Sequence, residues 1–198
     1  MADGVGGAGM EEKGGPYCRL LLVTGHPASG KSTVAHHLAR TLRWPLVMKD
    51  AIKERLFATV LEAVPESGTA LGPATWELFY YALDLVMATG HPVIGEGNFW
   101  PLARPRLQAL LERHGYHARE IVLEAPPEIL SARYLARLGD DNRHAGHVRG
   151  ISDPVQYIEE TVRNPYQPMN LGDRVLHVET RLWRHVDLDA LQIFAGTT

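Results

Sequence analysis

The stretch GHPASGKST, residues 25–33, constrains this chain more than any other. Gly25 and Gly30 bracket four residues and are followed by Lys31 and Ser32. In this GxxxxGK[ST] spacing the glycines let a loop turn its amide hydrogens inward, while the helix behind it adds its positive end. Oxygens of a phosphate chain fit such a cradle. The surroundings agree, because CRLLLVTG (18–25) is an apolar run ending in glycine, and Val34, Leu38 and Leu42 of KSTVAHHLARTL (31–42) recur at helical spacing. From average residue usage the motif should arise by chance in fewer than about one chain in twenty of this length. Lys31 is expected to reach β- and γ-phosphates, and the Ser32 hydroxyl to ligate Mg²⁺. Gly25, His26, Pro27, Ala28, Ser29, Gly30 and Thr33 are expected to line the nucleotide, with His26 and Thr33 as neighbours rather than chemical participants.

Beyond this loop the chain alternates strands and helices. WPLVMKD (44–50), HPVIGEGNF (91–99), YHAREIVLEA (116–125) and RVLHVET (174–180) read as further strands. Helical patterns separate them at 51–64, 73–90, 101–115, 126–139 and 153–165, and another closes the chain at 186–194. Helix 73–90 is apolar on nearly every side, with only Glu77 and Asp84 charged, which suits a helix covered on most faces or lining a pocket or subunit contact. Strands alternating with helices imply an α/β fold, a three-layer sandwich with a five-stranded parallel sheet. The polar, glycine-flanked excursion 139–150 reads as a short lid.

At 198 residues the chain has room for one domain with a full core, expected over 17–198. Residues 1–16 hold six glycines and no apolar stretch, and are expected to form a mobile tail. A net charge of −3 supplies no broad field for a nucleic-acid backbone. The one cysteine, Cys18, excludes an internal disulfide. No apolar run approaches the roughly 18 residues of a membrane span. These features read as those of a cytoplasmic protein without a membrane partner.

The loop must belong to some class of nucleotide user. No Asn-Lys-x-Asp segment for reading guanine is present, and 198 residues leave little space for the further segments of transport or remodelling ATPases. A compact kinase using ATP and Mg²⁺ remains. Asp50, at the end of the second strand, is expected at the crevice above the sheet, where a carboxylate can orient an acceptor hydroxyl toward the γ-phosphorus. It can also cap the helix expected from Ala51. Glu96 and Asn98 end the third strand at the same edge; the acid suits either hydrated Mg²⁺ or the acceptor, and also a simple turn. Phe99 and Trp100 are expected to form an apolar wall for the acceptor. Arg133, Arg137, Arg143 and Arg149 cluster around the lid, where guanidinium groups can match charge on a transferring phosphoryl group, or else form a solvated face. His144 and His147 lack an obvious third metal ligand.

These residues resemble the small P-loop kinases that phosphorylate free hydroxyls, a family including chloramphenicol phosphotransferases, zeta-type toxins, tunicamycin-resistance proteins and the kinase domain of polynucleotide kinases. GHPASGKST, Asp50 in LVMKD, VIGEGNF and RHAGH carry the resemblance in the family's order, over most of residues 18–195. It implies a catalytic base at Asp50, catalytic roles for Lys31, Arg137 and Arg143, a nucleotide contact at Arg133, and an acid of the toxin-type turn at Glu96. It implies a small-molecule acceptor such as an antibiotic, held by Asp50, Glu96, Asn98 and Phe99; the tunicamycin-resistance group is nearest in size and style. Two other functions fit the same residues: a nucleotide-gated protein that sequesters its ligand without transfer, and a toxin or regulatory kinase acting on a nucleotide sugar.

Overall fold

The computed structural model describes residues 18–61, 71–139, 151–172 and 174–196. Five strands form one parallel sheet: β1 (Cys18–Gly25), β2 (Leu46–Met48), β3 (Val93–Glu96), β4 (His117–Glu124) and β5 (Arg174–Glu179), in spatial order β2-β3-β1-β4-β5. The α/β architecture and the five parallel strands are those expected. β2 and β3 are shorter than the apolar runs suggested, since Pro45 and Pro92 cannot donate to a ladder. Pro45 still accepts a bond from the Ile94 amide at 2.9 Å, which begins the pairing.

Among the described residues seven α-helices surround the sheet: α1 (Lys31–Leu42), α2 (Lys49–Leu56), α3 (Leu71–Ala88), α4 (Arg104–His114), α5 (Pro127–Ala136), α6 (Pro154–Val162) and α7 (Leu188–Gly196). A π-helical turn, Phe57–Leu61, extends α2. Asp153 caps α6 as its sequence position suggests, its Oδ1 accepting from the Val155 and Gln156 amides at 2.9 and 3.0 Å. One expectation needs correcting: Lys49 and Asp50 do not end the second strand but open α2. Met48 is the last extended residue (φ −111°, ψ 121°), and the run KDAIKERL that follows consists mostly of good helix formers. The carboxylate of Asp50 therefore sits in a first helical turn, favoured by the positive end of the helix rather than serving as its cap.

Side chains along β1 alternate between two cores. Leu20 and Leu22 join Phe79, Leu83, Phe99 and Leu107, burying the apolar sides of α3 and α4. Leu21 and Val23 point the other way, among Val34, Leu38, Ile121 and Leu191, where α1 and α7 pack. The expected three layers are thus built from a single strand's period of two. On α3, Leu78, Tyr81 and Leu85 remain exposed, so this helix is covered on one side only. Parallel pairing brings Val23, Glu96 and Met48 into one register row, so the carboxyl ends of β1, β3 and β2 face a common edge. None of the described helices is long and apolar enough to cross a membrane. The tail expected at 1–16 and all of the lid expected at 139–150 except Gly139, Arg143 included, lie outside the described residues.

Candidate active site

The turn after β1 is shaped by backbone conformations that side chains resist. Gly25 has φ +136°, and a Cβ there would lie 2.3 Å from the Leu123 carbonyl oxygen. Gly30, at φ +96°, starts α1. Between them Ala28 takes φ +63°, an uncommon left-handed conformation for a residue with a side chain. The loop ends where Gly30 accepts from the Thr33 and Val34 amides at 3.1 and 3.2 Å, which turns the free amides of the first helical turn toward the same side. The buried ammonium of Lys31 donates to the His26 carbonyl at 2.8 Å and so folds back over the loop.

Two outside contacts fix this loop. From the end of β5, the Thr180 hydroxyl meets the Ser29 and Glu124 carbonyls, each at 3.0 Å. On the other flank, His26 Nε2 lies 2.9 Å from the Asn164 carbonyl, and its ring meets Tyr166 edge-on. The imidazole is therefore turned away from the cradle. Its backbone carbonyl serves the loop by accepting from Lys31, and the ring stands aside as a neighbour.

A cavity of about 680 Å³ opens over the loop. It brings together Lys31, Ser32 and Thr33 with Asp50, Glu96 and Arg137, from four different parts of the chain. Pro27, Ala28 and Gly30 also line it. Asp50 forms an ion pair with Lys49 Nζ at 2.8 Å, and Lys49 lies 5.6 Å from the Trp76 ring centre. Glu96 is almost completely buried, and its Oε2 has no hydrogen-bond partner among the described residues. Burial pushes its carboxyl up to about 7, against the pull of Lys31. Burial also lowers the Lys31 ammonium, which Glu96 and Asp50 oppose.

Other expected site residues lie elsewhere. Arg133 donates to the Thr180 and Arg181 carbonyls at 2.8 and 3.1 Å, tying α5 to the segment after β5 and staying outside the cavity wall. Phe99 is buried between Trp76 and Phe79 at 5.7 and 5.6 Å, so it is core and not an acceptor wall. Its size and the absence of a polar atom favour that burial. Half-buried Asn98 also lies outside the lining, and Gly25 and Ser29 stand behind the loop surface. Conversely, the sequence reading missed His36, Glu54 and Arg55, which line the cavity. Their signal was spacing: His36 is one turn from Ser32, and Glu54 one turn from Asp50.

A parallel sheet with a phosphate-type loop at its carboxyl edge and acids facing that loop defines a P-loop nucleotide-binding fold of the kinase kind. The comparisons agree. Residues 20–150 match the family model of an AAA domain. A crystal structure from Chloroflexus aurantiacus, provisionally assigned as a kinase, is similar at 30% identity with TM-score 0.78, covering 90% of this chain and 96% of that one. A gluconokinase from Sinorhizobium meliloti shares the fold at 18% identity and TM-score 0.52, over 91% of this chain and 90% of its own. So does the Mycobacterium tuberculosis APS kinase solved with AMPPNP and APS, at 19% identity and TM-score 0.54, over 89% and 94%. A search of curated proteins finds no match. The chain belongs to the AAA domain family, among its small P-loop kinases.

The residues present fit a nucleoside triphosphate with its cation. Gly30, Lys31 and Ser32 line one cavity, and Glu96, whose buried Oε2 has no hydrogen-bond partner among the described residues, stands in its wall.

Proposed function

We propose that the protein is an ATP- and Mg²⁺-dependent phosphotransferase that moves the γ-phosphoryl group onto a hydroxyl of a small molecule. The observation carrying this reading is that Asp50 opens into the same cavity as Gly30, Lys31 and Ser32. An acceptor between them would stand with its oxygen near the carboxylate and the phosphate tail on the loop. In the transfer, the acceptor oxygen bonds to the γ-phosphorus while the bond to the bridging oxygen breaks, and ADP leaves with that electron pair. Asp50 accepts the hydroxyl proton. Lys31 and Arg137 face the charge that spreads over the γ-oxygens, as Arg143 is proposed to do from the lid segment. Mg²⁺, held by the Ser32 hydroxyl, would neutralise the β- and γ-oxygens. Glu96 is proposed to serve the cation's hydration shell or the acceptor.

An antibiotic acceptor draws no support from the similar structures, so the reading extends to hydroxyl-bearing small molecules as a class. Incubating the protein with ATP, Mg²⁺ and a panel of sugars, hydroxy acids, sugar nucleotides and antibiotics tests it by mass spectrometry. The expected product is one acceptor heavier by one phosphate, formed with stoichiometric ADP. Tight ATP binding with no product and no ADP across the panel would refute transfer.

A further inference from the structure

The Tyr166 hydroxyl lies buried between the two strand ends that carry the candidate site. It donates to the Phe99 carbonyl at 2.5 Å. Because a phenol has one proton, its contact with Thr24 must run the other way, with the Thr24 hydroxyl donating to the phenolic oxygen. Thr24 immediately precedes the phosphate loop, whereas Phe99 ends the turn, Gly97 and Asn98, that follows Glu96 at the end of β3. Ladder pairing between β1 and β3 ends at Val23 and Glu96, followed by one long bond from the Gly97 amide to the Val23 carbonyl, at 3.3 Å. Past that point no backbone bond joins the two segments among the described residues, and Tyr166 links them again.

We infer that Tyr166 is a positioning residue, whose hydroxyl sets the distance between the phosphate loop and the turn that follows Glu96. Phosphoryl transfer depends mostly on placement, and a displacement of about 1 Å can cost about a hundredfold in rate. A buried hydroxyl bonded to both sides resists that displacement. The ring adds to this, since it meets the His26 imidazole at 5.4 Å, and His26 in turn meets the Asn164 carbonyl. Tyr166 lies beyond residues 20–150, where the family model matches, so the pin comes from a part of the chain that the model does not cover. The inference rests on the nucleotide reading above.

Hydrogen exchange read by mass spectrometry tests it, in protein without nucleotide and with Mg²⁺ and AMPPNP. Without nucleotide, Tyr166→Phe keeps the ring and should speed exchange at residues 97–100 about tenfold, the scale of one lost hydrogen bond. Amides of the β1 and β4 cores should change less than about twofold. No change at 97–100, or a rise matched in both cores, would overturn the pin. With Mg²⁺ and AMPPNP, exchange in the unsubstituted protein should slow at both 25–33 and 97–100. Tyr166→Phe and Thr24→Val should confine the slowing to 25–33, and Thr24→Ser, which keeps the hydroxyl, should restore it at 97–100. Slowing at 97–100 that survives Tyr166→Phe would also overturn the inference. Were 25–33 unresponsive in the unsubstituted protein, the nucleotide reading would fail, while the comparison without nucleotide would still decide the pin.

Discussion

Glu96 pays for its position, since a carboxylate sealed from water at the end of β3 loses most of its hydration when charged. Burial holds its pKa in the folded protein at about 7, above the ordinary carboxylate value of 4.5. The folded state therefore holds more protons than the unfolded chain between these values, and stability contributed by this group is lost as pH rises through that window. Denaturant titrations without nucleotide should show about 3 kcal/mol less stability at pH 8 than at pH 4.5 from this residue. Glu96→Gln should flatten that portion of the profile, and an unchanged slope would assign the pH dependence to other groups. Asp50, about half exposed and paired with Lys49, has a different task. Asp50→Asn should leave ATP affinity within about twofold and lower kcat at least a hundredfold, the scale of a lost general base. Full turnover in that variant would exclude the residue from the mechanism.

At the scale of elements, the segment after α6 shows how a loop is made rigid without regular structure. The Glu120 carboxylate on β4 accepts from the Met169 and Asn170 amides at 2.9 and 3.1 Å, and a Cβ on Gly172 would lie 1.9 Å from the Ala118 carbonyl oxygen. Gly172→Ala should therefore cost about 3 kcal/mol, at the upper end for overpacking, measured as a shifted urea midpoint. A shift below about 1 kcal/mol would show that the segment moves aside cheaply. These features also mark where sequence reading succeeds and fails. Strands and helices were legible because apolar period and proline or glycine punctuation are local; the phosphate loop was legible because its backbone needs glycines at fixed spacing. Asp50 was placed at the correct edge but in the wrong element, since strand-to-helix boundaries depend on a single residue's backbone angles. Phe99 was misread because an aromatic beside a site looks the same in sequence whether it faces the ligand or the core. Tyr166, Glu120 and Thr180 left no local signal at all. Their partners lie between 49 and 151 residues away along the chain.

For the whole molecule, the loop's grip on phosphate should register as global stability. A ligand held only by the folded state at about a hundred times its Kd adds about 2.7 kcal/mol. For a chain of 198 residues that is a rise of about 5–10 °C in Tm. Mg²⁺ with AMPPNP should produce it in a thermal scan, and Lys31→Ala should abolish it; a Tm indifferent to nucleotide would count against the whole reading. The loop's two outer holds, Thr180 and the pair His26–Tyr166, both draw on residues past 151, and β5 reaches the sheet only by pairing with β4. A chain severed between 139 and 151 would therefore become two partners, and how firmly the loop is held would depend on how much of the second was in solution.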